Sequence, residues 1–386
     1  MSRALANAKM WILPDRKTVR ANASSIVALD LGQTNPGRKP TSALYAELPN
    51  LPLEALGFAE AGMRAVPAPV TACKKLEVLS VHFSGVTSLP DLHHLGALRA
   101  VDLMSNKLGD AVAQNAGKWS ALEVLEWTWA ALPPALFDLK KLRYLDIADA
   151  KGTVKVPSTI EALVTRGAIA EGDLPLRFFL GDIAALPASS SLLEHVSLHG
   201  KGELPVALKR MKRLRALRYV GDAPLPDWLA DLDLKYLHID TRRTDVSTLR
   251  VIERMTSLRG LVLEMGQAKA LPFDLAKLEA LRFFSIPHDS VHDEEGFPSG
   301  LSELSALGHV QLNSQRRGPQ TALLRQKYLP PDVTLWEDGN ALSRQDPLDV
   351  FRAFTAARTA PEWWISRFRV GDVFERIVEI GKLVNA

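Results

Sequence analysis

Side chains that could do covalent or metal chemistry are few in this sequence and poorly spaced for it. Cys73 is the single cysteine, so no disulfide and no thiolate-held zinc site can form within the chain. His93-His94 reads as a solvated pair on the back of a helical turn. His288, His292, Asp293, Glu294 and Glu295 share a polar stretch, but nothing in their spacing fixes a coordination geometry. The sequence holds no Gly-rich phosphate loop, no G-x-S-x-G elbow and no H-E-x-x-H. The expectation is no catalytic residue, no metal and no cofactor. The chemistry that remains is recognition, and its clearest candidates are three carboxylates, Asp102, Glu126 and Asp146, that recur at intervals of 24 and 20 residues.

An interval of that size points to a repeat, and the chain has one. Segments with apolar residues at positions 1, 4 and 6 recur, as in Leu76-Leu79-Val81, Leu98-Val101-Leu103, Leu122-Leu125-Trp127, Leu142-Leu145-Ile147 and Leu214-Leu217-Tyr219. Thirteen copies run from Ile26 to Leu312 at steps of 20 to 31 residues, with a degenerate member at Asp173-Leu176-Phe178. A second half also recurs: Leu132-Pro133, Leu136 and Leu139 lead into Leu142, and Leu204-Pro205, Leu208 and Met211 lead into Leu214. The period of 2 between positions 4 and 6 is that of a strand, and Leu-Pro followed by Leu at three-residue spacing starts a helical turn.

On these motifs the chain resembles the leucine-rich repeat superfamily, in its intracellular and bacterial subtype with an L-P-x-x-L-x-x-L second half. The resemblance implies an α/β solenoid, a curved horseshoe with a parallel concave sheet, and protein recognition as its work. Residues 1–25 are expected to cap the front, 26–315 to form the array, and 316–386 to form a last strand at 333–336 and a helical C-terminal cap. Residues 148–172 read as an insertion with a helix over 159–170. The family's ninth-position Asn is met only by Asn106; Ser84 stands there in the unit before.

Register then orders the surface. Position 5 should face the concave side, and its column includes Ser80, Asp102, Glu126, Asp146, Arg177, Ser197, Arg218 and His238. Phe83, Met104, Trp129 and Tyr144 surround the acidic run. His195, His199, Tyr236, His238 and Asp240 form a second patch. Aromatics beside charge suit a protein hot spot, so the expected partner is a protein presenting a basic or mixed apolar segment. A bacterial effector or immunity-type protein and an enzyme's regulatory subunit are the alternatives at this stage.

Composition agrees. The chain is 47% hydrophobic and 24% charged, which excludes wholesale disorder. Its 47 Lys+Arg against 44 Asp+Glu give a net charge of only +3, so nucleic acid is not the expected partner. No apolar run of 18 residues exists, and Trp11-Ile12-Leu13 is too short for a secretion signal. No membrane span and no small-molecule substrate are expected. The lone free thiol suits the cytoplasm, with non-classical export as an effector left open.

Overall fold

A computed structural model describes residues 10–336 apart from 13, 33–40, 59–60, 109–111, 128–131, 148–149, 188–190, 241–245, 265–270, 287–297, 299, 313–328 and 330–332. The described residues fall into two compact units, one ending at Leu176 and one beginning at Arg177. Trp129, the 288–295 polar stretch and the expected C-terminal helices lie outside the described residues.

The first unit is a sheet of parallel strands, each paired to the next: β1 (Met10–Ile12), β2 (Ala28–Asp30), β3 (Ala55–Gly57), β4 (Val78–Ser80), β5 (Ala100–Asp102), β6 (Val124–Glu126), β7 (Tyr144–Ile147) and β9 (Ala162–Thr165). Beside it, β8 (Gly152–Lys155) pairs in parallel with β10 (Ala168–Glu171). The second unit repeats the plan with β11 (Phe178–Asp182), β12 (His195–His199), β13 (Ala216–Val220), β14 (Tyr236–Asp240), β15 (Gly260–Glu264), β16 (Phe283–Ile286), β17 (His309–Leu312) and β18 (Thr334–Trp336). This is the leucine-rich repeat fold, and β18 is the last strand expected near 333–336.

The register is the one the repeat demands: Leu79, Val101, Leu125 and Leu145 are Cα partners in turn. The opening residues Leu76, Leu98, Leu122, Leu142, Leu193 and Leu234 are fully buried. The second halves are 3-10 turns, for example Pro134–Asp138 and Val206–Arg210. Leu136 N donates to Pro133 O, Leu139 N to Leu136 O and Leu142 N to Leu139 O, so the bonds step by three. A strict spacing of three residues matches the 3.0 residues per turn of a 3-10 helix and keeps every Leu on one face.

Two expectations need correction. Residues 159–170 are not a helix, and 148–172 is not an insertion of that kind. Ile160, Leu163 and Thr165 carry their own repeat, whose strand β9 pairs with β7 through Tyr144↔Ala162 and Leu145↔Leu163. The β-branched and alternating residues of Val154–Val156 and Ala168–Glu171 favour strands over a helix. The degenerate unit also shifts frame. Phe178 pairs with His195 and Phe179 with Val196, so Leu176 opens this unit rather than standing fourth, and Phe179 is the fourth residue. Arg177 is thus a second-position residue, outside the column expected to hold it.

The turns after β4 and β5 are tied by one side chain. Asn106 Oδ1 accepts from Ser84 N (3.2 Å) and Val86 N (2.9 Å), while its Nδ2 donates to Val81 O (2.7 Å), Met104 O (3.0 Å) and Leu103 O (3.1 Å). In the preceding unit Ser84 does part of this work with a hydroxyl, donating to Phe58 O and accepting from Ala61 N. At the front, α1 (Arg16–Ala21), capped by Asp15, sends Arg16 and Arg20 onto Glu47 at 2.7 and 2.9 Å from their Nε atoms.

Asn106→Ala strands several buried backbone groups, and urea denaturation should show a loss of about 2–4 kcal/mol in this unit. The hydrogen bonds from Arg20 and Arg16 hold the Glu47 carboxyl below its ordinary value of 4.5. Its stabilisation is therefore fully present above pH 4.5 and fades as pH falls through the depressed folded value. Thermal melts of Glu47→Gln should lie below wild type at pH 7, and the gap should close in acid.

Candidate functional site

The acidic run is in register as expected, with Ser80, Asp102, Glu126 and Asp146 as successive Cα partners. It is not an exposed acidic surface. Asp102 is 1% exposed and Asp146 is 0%, and only Glu126 is partly open. Strands about 4.8 Å apart crowd the middle of the face, so a short side chain there is covered by taller neighbours.

These short residues also have a structural duty. Asp102 Oδ1 accepts from Met104 N (3.0 Å) and Asp30 Oδ1 from Gly32 N (2.7 Å), and Ser80 Oγ stands in the same relation to His82 N (3.3 Å). A fifth-position Asp or Ser caps the amide two residues on, where the strand stops. Ser80 Oγ also donates to Asp102 Oδ2 at 2.9 Å, and His82 Nδ1 lies 3.6 Å from Oδ1.

At the turn after β4 the first unit exposes a large apolar side chain. Phe83 is 63% exposed, in a left-handed backbone conformation with φ 49°. Its amide donates to Met104 O at 2.9 Å, and its ring centroid lies 6.5 Å from that of His82. Met104 is half-buried, and Tyr144, expected at the surface, is 2% exposed. Ser105, one unit on from Phe83, takes the same left-handed conformation at φ 57°.

In the second unit the expected patch is instead a hydrogen-bonded chain across four strands. Arg218 Nε donates to His238 Nδ1 at 3.2 Å, which leaves His238 Nε2–H to donate to Glu264 Oε1 at 2.9 Å. Arg218 Nη1 lies 3.1 Å from His199 Nε2, and Ser197 Oγ is 3.0 Å from the same nitrogen. Ser197 with His199 has the separation of a nucleophile and its base. The guanidinium, however, faces the same nitrogen, whose single lone pair cannot serve both, and Ser197 is fully buried. His238 (1%), Tyr236 (2%), Glu264 (3%) and Asp240 (5%) are buried too, which leaves His195, His199 and Arg218 partly exposed. Arg177 is exposed on the rim, bidentate to Glu194 at 2.8 and 3.0 Å from Nη2.

One column escaped the sequence reading. The residue after each opening apolar residue forms charged rungs: Glu54, Glu77, Arg99, Glu123, Arg143 and Glu161 in the first unit. Arg99 Nη2 lies 2.7 Å from Glu123 and Arg143 Nη1 3.5 Å from Glu161. The alternation from Glu77 to Arg143 was visible in the sequence once the frame was set.

No family model matches this sequence, and no curated protein matches it. Solved structures of similar form include an internalin of Listeria monocytogenes (18% identity, TM-score 0.41, 72% of this chain and 86% of that one). A leucine-rich repeat protein of Leptospira interrogans aligns at 17% identity and TM-score 0.44, over 85% of this chain and 99% of that one. The TLR13–ssRNA13 complex aligns at 14% identity and TM-score 0.46, over 67% and 45%. The fold assignment rests on the register of the repeats themselves. No helix among the described residues is long and apolar enough to cross a membrane.

Cys73 is 4% exposed, its thiol directed at Leu48 O, and burial pushes its pKa up to about 11. A thiol reagent at pH 8 should leave the native chain unlabelled over minutes and titrate one thiol after unfolding in urea.

Proposed function

We propose that this chain is a non-catalytic protein-recognition module whose partner docks on the strand-lined face of the first unit, with Phe83 as the apolar anchor. The observation that carries the reading is Phe83 itself. A left-handed backbone costs a non-glycine residue roughly 1–2 kcal/mol, and the ring gains little burial in return, being 63% exposed. The turn does not require an aromatic, because Ser105 makes the equivalent turn one unit on. A strained residue that leaves a large apolar side chain in water is better explained by what it touches outside the chain. Met104 adjoins it through the backbone, and Glu126 is a partly exposed carboxylate on the same face. A partner segment pairing an apolar side chain with a nearby Lys or Arg fits this arrangement.

Phe83→Gly separates fold from function. It relieves the left-handed strain, so equilibrium unfolding should show a gain of about 1 kcal/mol. Affinity purification from the native cell, followed by mass spectrometry, should lose the partner retained by wild type and by an Ile169→Ser control. Retention of that partner by Phe83→Gly at undiminished affinity would remove Phe83 as the anchor.

A further inference from the structure

The charged rungs alternate in sign over much of the array, and the longest departure from that rule lies in the second unit. In the first unit they alternate in sign from Glu77 onward, after a like-charged pair at Glu54 and Glu77, and each Arg meets a Glu on an adjacent rung. The second unit begins the same way, with Arg177 on Glu194. Then four cations follow without interruption: Arg215, Lys235, Arg259 and Arg282. Their adjacency is fixed by the backbone. Lys235 N donates to Arg215 O (2.7 Å), Arg259 N to Lys235 O (2.8 Å) and Arg282 N to Arg259 O (2.8 Å). The run ends at Gly308, whose amide donates to Arg282 O.

One acid answers part of this run. Asp233 lies 2.6 Å from Lys235 Nζ and 3.7 Å from Arg215 Nη2. Arg259 and Arg282, both half-buried, make no ion pair among the described residues. Like charges on rungs about 4.8 Å apart repel, and nothing in the core requires them.

We propose that this basic rim is a docking strip for an acidic segment of a partner protein, supplying the carboxylates that the rungs lack. The column shows which anion it is shaped for: where it is complete, Arg takes a carboxylate from beside it, bidentate in Arg177–Glu194. Single-stranded nucleic acid is disfavoured, because stacking needs open aromatic faces. The residues next along these strands are Ala216, Tyr236, Gly260 and Phe283, all of them buried. Alternate side chains of an extended peptide recur every ~6.6 Å, a mismatch with the rungs that long Arg and Lys side chains absorb. The strip lies in the second unit and does not depend on the reading of Phe83.

Fluorescence anisotropy on the full chain tests this with a labelled hexaglutamate peptide, a hexalysine peptide and a twelve-residue oligothymidylate. Wild type should bind hexaglutamate in a salt-sensitive manner and ignore hexalysine. Arg259→Glu restores the alternation between Lys235 and Arg282. It should weaken hexaglutamate binding at least tenfold while holding or raising the melting temperature. Phe83→Gly should bind hexaglutamate as wild type does. Should Arg259→Glu lower the melting temperature, the paired Arg259→Gln/Arg282→Gln variant decides, again with a tenfold loss expected. Unchanged affinity in that folded variant overturns the proposal, as does binding of oligothymidylate in preference to hexaglutamate.

Discussion

The structure depends on one constraint: a single repeat cannot bury its own apolar side. Its opening Leu and its fourth and sixth residues are covered only when a neighbouring repeat stacks on them in register. Parallel pairing enforces that register, since a slip by one residue would turn Leu79 and Leu125 outward and a polar column inward. Every other feature follows from this alignment. Once the core columns are fixed, each remaining position of the repeat becomes a column too, and its residues interact with their own kind at about 4.8 Å.

This turns ordinary surface choices into cumulative ones. In the middle of the face, small capping residues such as Ser80 and Asp102 suit the column, because they close the strand end and need little room. At the second position, long charged residues suit it only if signs alternate, which Glu77, Arg99 and Glu123 satisfy. At the turn, the column wants a side chain that can satisfy several backbone groups at once, and Asn106 does so where Ser84 manages fewer. The fold is thus held by four kinds of column, each with its own chemistry.

The core columns were legible in the sequence because apolar periodicity reports directly on burial. The repeat opened by Ile160 was missed because Thr165 holds the sixth position and the unit is short, so the pattern blurred into a helix-like run. The frame error at Asp173 had a similar cause, since Phe178 and Phe179 both look like core and only pairing with His195 and Val196 separates them. The 3-10 form of the backs was written in the strict three-residue spacing of Leu136, Leu139 and Leu142, which the L-P-x-x-L reading took as a generic helical turn. For the site, direction was legible and exposure was not. Asp102 and Asp146 do lie on the expected column, but exposure depends on the height of flanking side chains, which register alone does not supply.

The second unit shows why recognition is better placed on a rim or a turn than in the middle of such a face. Its central columns are occupied by the chain from Ser197 through His199, Arg218 and His238 to Glu264, in which each polar group serves a neighbour. The Arg218 bond assigns the proton of neutral His238 to Nε2, where it can reach Glu264, so the links depend on one another. A ligand that took one group would leave the next buried and unsatisfied, at a cost comparable to the bond it made. Phe83 at a turn, and Arg259 and Arg282 on the rim, carry no such obligation. On the proposed reading, a binding partner would gain from them without dismantling the columns that hold the repeats together.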